Sequence, residues 1–308
     1  MKKAYFYIDD TIWVLRDLTR KKPASLFDTP LLKVLKEAHD KYGVKTQLNL
    51  FYRTDTAYGY DEFSLADVTD AYKAEWEAAS DWLKLAFHAK EEFPDYPHVN
   101  ASYEDTKALF KDIEKEVFRF AGEKSFTYAT CPHWVPVSKD GIKALRDCGV
   151  TLMDVTAGGN PREYNGDPNS LPYGHAARLL QGRKPETKVF NRGGRDVAIN
   201  NSICGYNHLP GEEPAAQAKD FSVIYDKETD MNFKIFCSSC LNLIPYEEIE
   251  GDFAPLLGNE YIGICDHEEY FYEDYFAYQP DYADKIYKMG EILKNNGYEF
   301  FFMEELAK

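Results

Sequence analysis

Short apolar runs alternate with helix-patterned stretches through the first 155 residues, and no other feature narrows the fold as much. Residues 4–8, 45–51, 83–87, 126–130 and 150–155 read as strands. Between them, residues 28–41 carry Leu31, Leu35 and Ala38 at helical spacing, and residues 65–82 read as a longer helix. Residues 102–120 open on a Ser cap and place Leu109, Ile113, Val117 and Phe120 on one face. Residues 138–148 form another helical stretch, stopped by Gly149. Alternation of this kind implies parallel strands covered by helices.

The rhythm fails between residues 157 and 214, where Gly, Pro and Asn are dense. Residues 221–226 and 231–236 flank Lys227-Glu-Thr-Asp230 and read as a β-hairpin, and residues 246–257 are compatible with a helix. The rhythm resumes with a strand at 261–265. A helix follows, opened by Pro280, with Tyr282, Ile286, Met289 and Leu293 on one face and Gly297 as its stop, and residues 299–303 form a last strand. The expected architecture is one barrel-like α/β domain over residues 1–308, with a β-rich, irregular insertion at about 157–257. Such an insertion would either cover the rim or make a subunit contact, so a homo-oligomer is one expectation.

A formal net charge of −16 argues against a nucleic-acid or anionic-membrane partner, both of which need a positive footprint. It suits a neutral or cationic ligand. No apolar leader precedes the first strand and no run is long enough to cross a bilayer, so the expected location is cytoplasmic. The six Cys lie mostly in apolar runs, as buried thiols in a reducing compartment do. Cys237-Ser-Ser-Cys240 has redox or metal spacing but no second pair, and reads as ordinary packing.

Polar residues cluster where strands end. Asp9 and Asp10 follow the first strand, Asn49 closes the second, and His88 follows the third. Cys131-Pro-His133-Trp134 follows the fourth, and Asp266-His267-Glu268-Glu269 the late one. The carboxyl ends of parallel strands face the active site in α/β folds. Successive residues leaving a strand point to opposite sides, so Asp9 and Asp10 are expected to do different jobs. Asp and His together suit a divalent cation, zinc first, with a coordination position left for water. His88 is a candidate ligand, with His133, Glu92 and His98 as candidates to complete the set. Trp13, Trp134 and Tyr270 are expected to stack on a sugar ring, with Asn49 and Glu268 as polar substrate contacts.

The order Asp-Asp, then His, then a proline-containing motif, then a late His resembles the polysaccharide deacetylases, carbohydrate esterase family 4. The resemblance covers residues 1 to about 155 and 261–303. The chain also resembles a bacterial branch of deacetylase-like fold through Asp81-Trp82-Leu83, Phe87-His88-Ala89 and His267-Glu268-Glu269-Tyr270-Phe271. The resemblance implies a distorted, seven-stranded (β/α) barrel acting on an acylated carbohydrate. It implies Asp9 as catalytic base, Asp10 and His88 as metal ligands, and His267 as general acid. The chain departs from that pattern at two points. Glu92, not His, lies four residues after His88, and Thr130-Cys131-Pro132-His133-Trp134 lacks an Arg. Two other functions fit the same residues. One is a metal-free glycoside hydrolase pairing Asp9 or Asp10 with Glu268 or Glu269. The other is a non-catalytic carbohydrate-binding descendant of the fold.

Overall fold

The computed structural model describes residues 1–55, 61–93, 97–98, 101–157, 187–192, 195–200, 208–209 and 218–307. The strands are β1 (Lys2–Thr11), β2 (Thr46–Phe51), β3 (Leu83–Ala89), β4 (Ala129–Thr130), β5 (Leu152–Asp154), β6 (Thr156–Ala157), β7 (Thr187–Arg192), β8 (Arg195–Asn200), β9 (His208–Leu209), β10 (Ile224–Asp226), β11 (Met231–Lys234), β12 (Ser239–Cys240), β13 (Tyr261–His267) and β14 (Tyr298–Phe300). The helices are α1 (Trp13–Lys21), α2 (Pro30–Tyr42), α3 (Lys73–Ala78), α4 (Tyr103–Phe120), α5 (Lys139–Asp147), α6 (Ile249–Phe253) and α7 (Tyr282–Asn295).

The described core is mixed α/β. One sheet runs β12-β13-β1-β2-β3, with β14 beside the start of β1, and all its pairings are parallel. A second runs β10-β11-β5-β4, antiparallel only in the β10–β11 hairpin. Two features tie the sheets together. A single bridge joins Leu85 of β3 to Phe126, and residues 231–240 supply β11 to one sheet and β12 to the other. The two larger sheets are thus linked, two further two-stranded sheets pair β6 with β9 and β7 with β8, and the described strands form no continuous closed barrel. Part of the region read as an insertion therefore carries core strands, because the hairpin's second strand is apolar enough to be buried. Residues 158–186, which include His175, lie outside the described residues. No helix among those described is long and apolar enough to cross a membrane.

Alternation of side chains along β1 builds two cores. Ala4, Phe6 and Ile8 pack toward the helices with Leu31, Leu35 and Leu293. Tyr5 and Tyr7 turn the other way and join Leu152, Phe236, Tyr261, Phe301 and Met303 in a cluster fed by both sheets. Gly263 is required where these layers meet. A Cβ there would lie 1.5 Å from the Phe236 carbonyl oxygen, which is backbone and cannot yield.

Several elements differ from the sequence reading for local reasons. The stretch 65–82 holds only a single turn at Leu65–Asp67 and then α3, because Asp67 takes the Ser64 N–H and hydroxyl at 2.8 Å and closes the turn early. Helix α1 had no readable local cap. The carboxylate at its N-terminus is Glu268, which accepts the N–H groups of Ile12, Trp13 and Val14 at 2.7 Å. The cap at Ser102 forms as the sequence implies, accepting from the Asp105 N–H, and Ser138 caps α5 in the same way from Gly141.

Candidate metal centre

β1 runs past its apolar segment to Thr11, so Asp9 and Asp10 lie in its last turn of ladder. Ile8 pairs with Leu48 and Thr11 with Leu50, which leaves one residue more on β1 than on β2. This is a bulge, and Asp10 absorbs it with φ +62°, a left-handed conformation that Asp tolerates better than most residues. The bulge cancels the expected alternation. Both carboxylates face one imidazole, with Asp9 Oδ1 3.7 Å from His88 Nδ1 and Asp10 Oδ1 3.1 Å from His88 Nε2.

His133 arrives from the loop after β4, where Trp134 and Val135 both adopt positive φ and re-aim the chain. Its Nδ1 lies 3.1 Å from Asp10 Oδ1 and 3.1 Å from His88 Nε2. Three ligand atoms thus form a near-equilateral triangle 3.1 Å on a side. Tetrahedral zinc with bonds of about 2.0–2.1 Å needs its ligand atoms roughly 3.3 Å apart.

The outward nitrogens fix where the hydrogens sit. His88 Nδ1 meets the Cys131 carbonyl oxygen, and His133 Nε2 meets the Glu92 carbonyl oxygen at 3.2 Å. A carbonyl only accepts, so each ring donates outward. In the neutral imidazoles the inward nitrogens then present lone pairs to the Asp10 carboxylate. Three acceptors at this separation suit a cation, and outward hydrogen bonds to carbonyls are how metal-bound His rings are commonly oriented. With protons alone, the neighbouring charges must compensate. Burial opposes charge on His88, but Asp9 and Asp10 hold its pKa above the ordinary 6.5. Burial raises Asp10 as well, yet His133 and His88 bring it well below 3.8.

Asp10 belongs to a second group. Its carboxylate, with those of Glu92 and Glu269, offers oxygens that all lie within 4.8 Å of one another. Glu92 descends from β3 and Glu269 sits in the turn after β13. Two carboxylates at this range repel by about 3–4 kcal/mol at an effective dielectric near 20, more than the roughly 1 kcal/mol that a hydrogen bond returns. Burial pushes Glu269 well above the usual carboxylate range, and Asp10 and Glu92 add to the shift.

Beneath this rim lies a floor rich in donors. Asp9 accepts from Asn49 Nδ2 at 2.6 Å and faces the thiols of Cys265 at 3.5 Å and Cys131 at 3.9 Å. Asp154 accepts from the Phe236 and Val155 N–H groups, each at 2.8 Å, and from Cys131 at 3.4 Å. His267, the last residue of β13, is the cross-ladder partner of Asp9. Its Nδ1 donates to Asn242 Oδ1 at 3.0 Å, and Cys240 Sγ lies 3.8 Å away. Burial works against charge on His267, but Cys240, Asp10 and Asp9 carry its pKa well above 6.5.

The structure brings together Asp9, Asp10, His88 and His133 and places Glu92 beside them. It moves other expected residues elsewhere. His98 does not reach the ligand atoms. Its Nε2 donates to the His88 carbonyl at 2.9 Å and its ring packs on Phe87, so it braces the strand end. Glu268 is spent on the α1 N-terminus. Asn49 is fully buried and orients Asp9, with no surface left for a substrate. Trp13 and Tyr270 are only 6% exposed, their faces taken by Tyr272, Tyr275 and His267, so neither offers a sugar platform. Trp134, half-buried 5.6 Å from His133, remains beside the site. Sequence reasoning placed Cys131 and Glu269 at strand ends, Glu269 as a possible glycosidase carboxylate and not as a ligand, and it missed Asn242. The Glu268-Glu269 doublet was the available signal, but which carboxylate faces inward depends on the turn after β13.

No family model matches the chain, and no curated protein matches it. Among solved structures, the 4-alpha-glucanotransferase from Thermococcus litoralis is similar at 12% sequence identity and a TM-score of 0.48. The match covers 99% of this chain but 40% of that one, so the chain spans well under half the length of that enzyme.

Proposed function

We propose that this protein is a divalent-metal-dependent hydrolase that removes an acyl group from an N-acylated sugar. The observation that carries the reading is the 3.1 Å triangle of Asp10 Oδ1, His88 Nε2 and His133 Nδ1, with Asp9 on the same imidazole. Asp10, His88 and His133 would hold the ion. When bound, such an ion polarises an acyl carbonyl and lowers the pKa of a water molecule.

The chain's own residues supply the proton transfers. Asp9 is fixed by Asn49 and lies 3.7 Å from His88, where it accepts the proton of the attacking water. Cys240, Asp10 and Asp9 favour the charged form of His267 against its burial and Asn242 aims the ring, so it gives a proton to the departing sugar amine. A net charge of −16 suits a neutral substrate and a cationic amine product. The sugar itself rests on the deacetylase resemblance. In the metal-free, two-carboxylate reading, Glu268 is engaged by three backbone N–H groups, which leaves Glu269 as the carboxylate to pair with Asp9 or Asp10.

The test is acetate release from N-acetylated chito-oligosaccharides, with and without a chelator, in the wild type, Asp10→Ala and His88→Ala. Release abolished by the chelator and by both substitutions supports the reading. Undiminished release in both variants overturns it.

A further inference from the structure

We infer that the site holds two divalent cations rather than one, the second on an all-carboxylate set of Asp10, Glu92 and Glu269, with Asp10 shared between them. The inference rests on the reading of Asp10, His88 and His133 as the first ligand set.

Asp10, Glu92 and Glu269 come from three separate strand ends and converge with ligand oxygens within 4.8 Å of one another. All three are buried, at 5%, 5% and 7% exposure. An acidic cluster on a wet surface is screened by water, and this one is not. Glu269 supplies the independent pointer to a ligand. Its Oε2 is buried and has no hydrogen-bond partner, whereas the adjacent Glu268 accepts three backbone N–H groups. A buried carboxylate oxygen left without a donor is costly unless something positive meets it. His267 is the one positive group among the strongest influences on Glu269, against two carboxylates.

The donor chemistry separates the two positions. The first set offers two imidazoles and a carboxylate, a combination that suits zinc. The second offers oxygen only, as magnesium, manganese and calcium prefer. A carboxylate has two oxygens, so Asp10 can give one to each ion. Paired hydrolytic ions typically lie about 3.5–4 Å apart. The strained backbone of Asp10, at φ +62°, is what brings its carboxylate between both sets. Glu92, four residues after His88, then acts at the second position and not as a substitute for the missing histidine of the first.

The test uses the full chain stripped of metal by chelator and titrated with Mn²⁺ alone, which thiols bind poorly. Bound manganese is counted by equilibrium dialysis and its spin coupling read by electron paramagnetic resonance. The inference expects two ions per wild-type chain with an exchange-coupled spectrum. Glu269→Gln should retain one ion with an uncoupled six-line spectrum and an unchanged circular dichroism spectrum. Two ions in Glu269→Gln, or a single ion in the wild type that His88→Ala removes, would overturn the second position while leaving the first intact. A wild type that binds one ion, lost in Glu269→Gln but kept in His88→Ala/His133→Ala, would overturn the first set and the shared arrangement together. No bound manganese in the wild type would overturn both.

Discussion

The floor and the rim of the site are built from the same residue types and differ in what those residues lack. On the floor, Asp9 and Asp154 accept from an amide, from thiols and from backbone N–H groups, and Asp9 shares one imidazole with Asp10. On the rim, Asp10 faces two imidazole nitrogens whose hydrogens point away, and two further carboxylates. One region is a finished hydrogen-bond network and the other is an excess of acceptors. Adjacent residues fall on opposite sides of this line. Asp9 and Asp10 do so, and so do Glu268 and Glu269. Local sequence does not distinguish them, and the backbone does.

The contrast can be broken by substitutions on either side. Asp10→Ala, at the centre of the rim, should abolish metal retention and lower hydrolysis by roughly 10³-fold or more, measured by elemental analysis and acetate release. Asp9→Asn should lower turnover by roughly 10²–10⁴-fold while leaving metal content unchanged. Metal lost in Asp9→Asn would merge the two regions. Gly263→Ala drives a Cβ into the Phe236 carbonyl beneath the floor. It should cost about 3 kcal/mol or more in urea unfolding, because backbone on both sides must shift.

Acidity sharpens the same comparison. Protons compete with a cation for His88 Nε2 and His133 Nδ1, so the rise in melting temperature given by Zn²⁺ should shrink between about pH 7.5 and pH 5.5. The metal-free protein behaves differently at each group. Glu269 has a folded pKa raised above its unfolded value, first by burial and then by Asp10 and Glu92. Its folded state favours the protonated form, so stability from this group is complete below the ordinary carboxylate range and is lost as pH rises from there through the raised folded value. Glu269→Gln should flatten that decline in the metal-free protein. His98 has the opposite sign. Burial holds its pKa down to about 3, so its contribution is complete above about pH 6.5 and is lost as pH falls toward that value. Substituting His98→Leu should flatten the acid side of the stability profile without removing metal.

The fold was largely readable because burial imposes a period, and 46–51, 83–89, 103–120 and 282–295 all carry one. α1 was not readable, since the group at its N-terminus, Glu268, lies 256 residues from Ile12. The candidate ligands were named from residue type and strand position. Their convergence was not legible, because it depends on a bulge set by the register of β1 on β2 and on two left-handed residues after His133. Aromatic content suggested stacking platforms, but Trp13 and Tyr270 are core, and a sequence gives no measure of which ring faces are already covered.

The central claim is that the Asp10, His88 and His133 triangle is a metal site. It is tested most directly by the Zn²⁺ content of the dialysed protein, compared with His88→Ala/His133→Ala under the same conditions. The account predicts at least one tightly held ion per wild-type chain and the loss of that ion in the double variant. A wild type that releases all its zinc on dialysis, or a double variant that keeps the full amount, would contradict it.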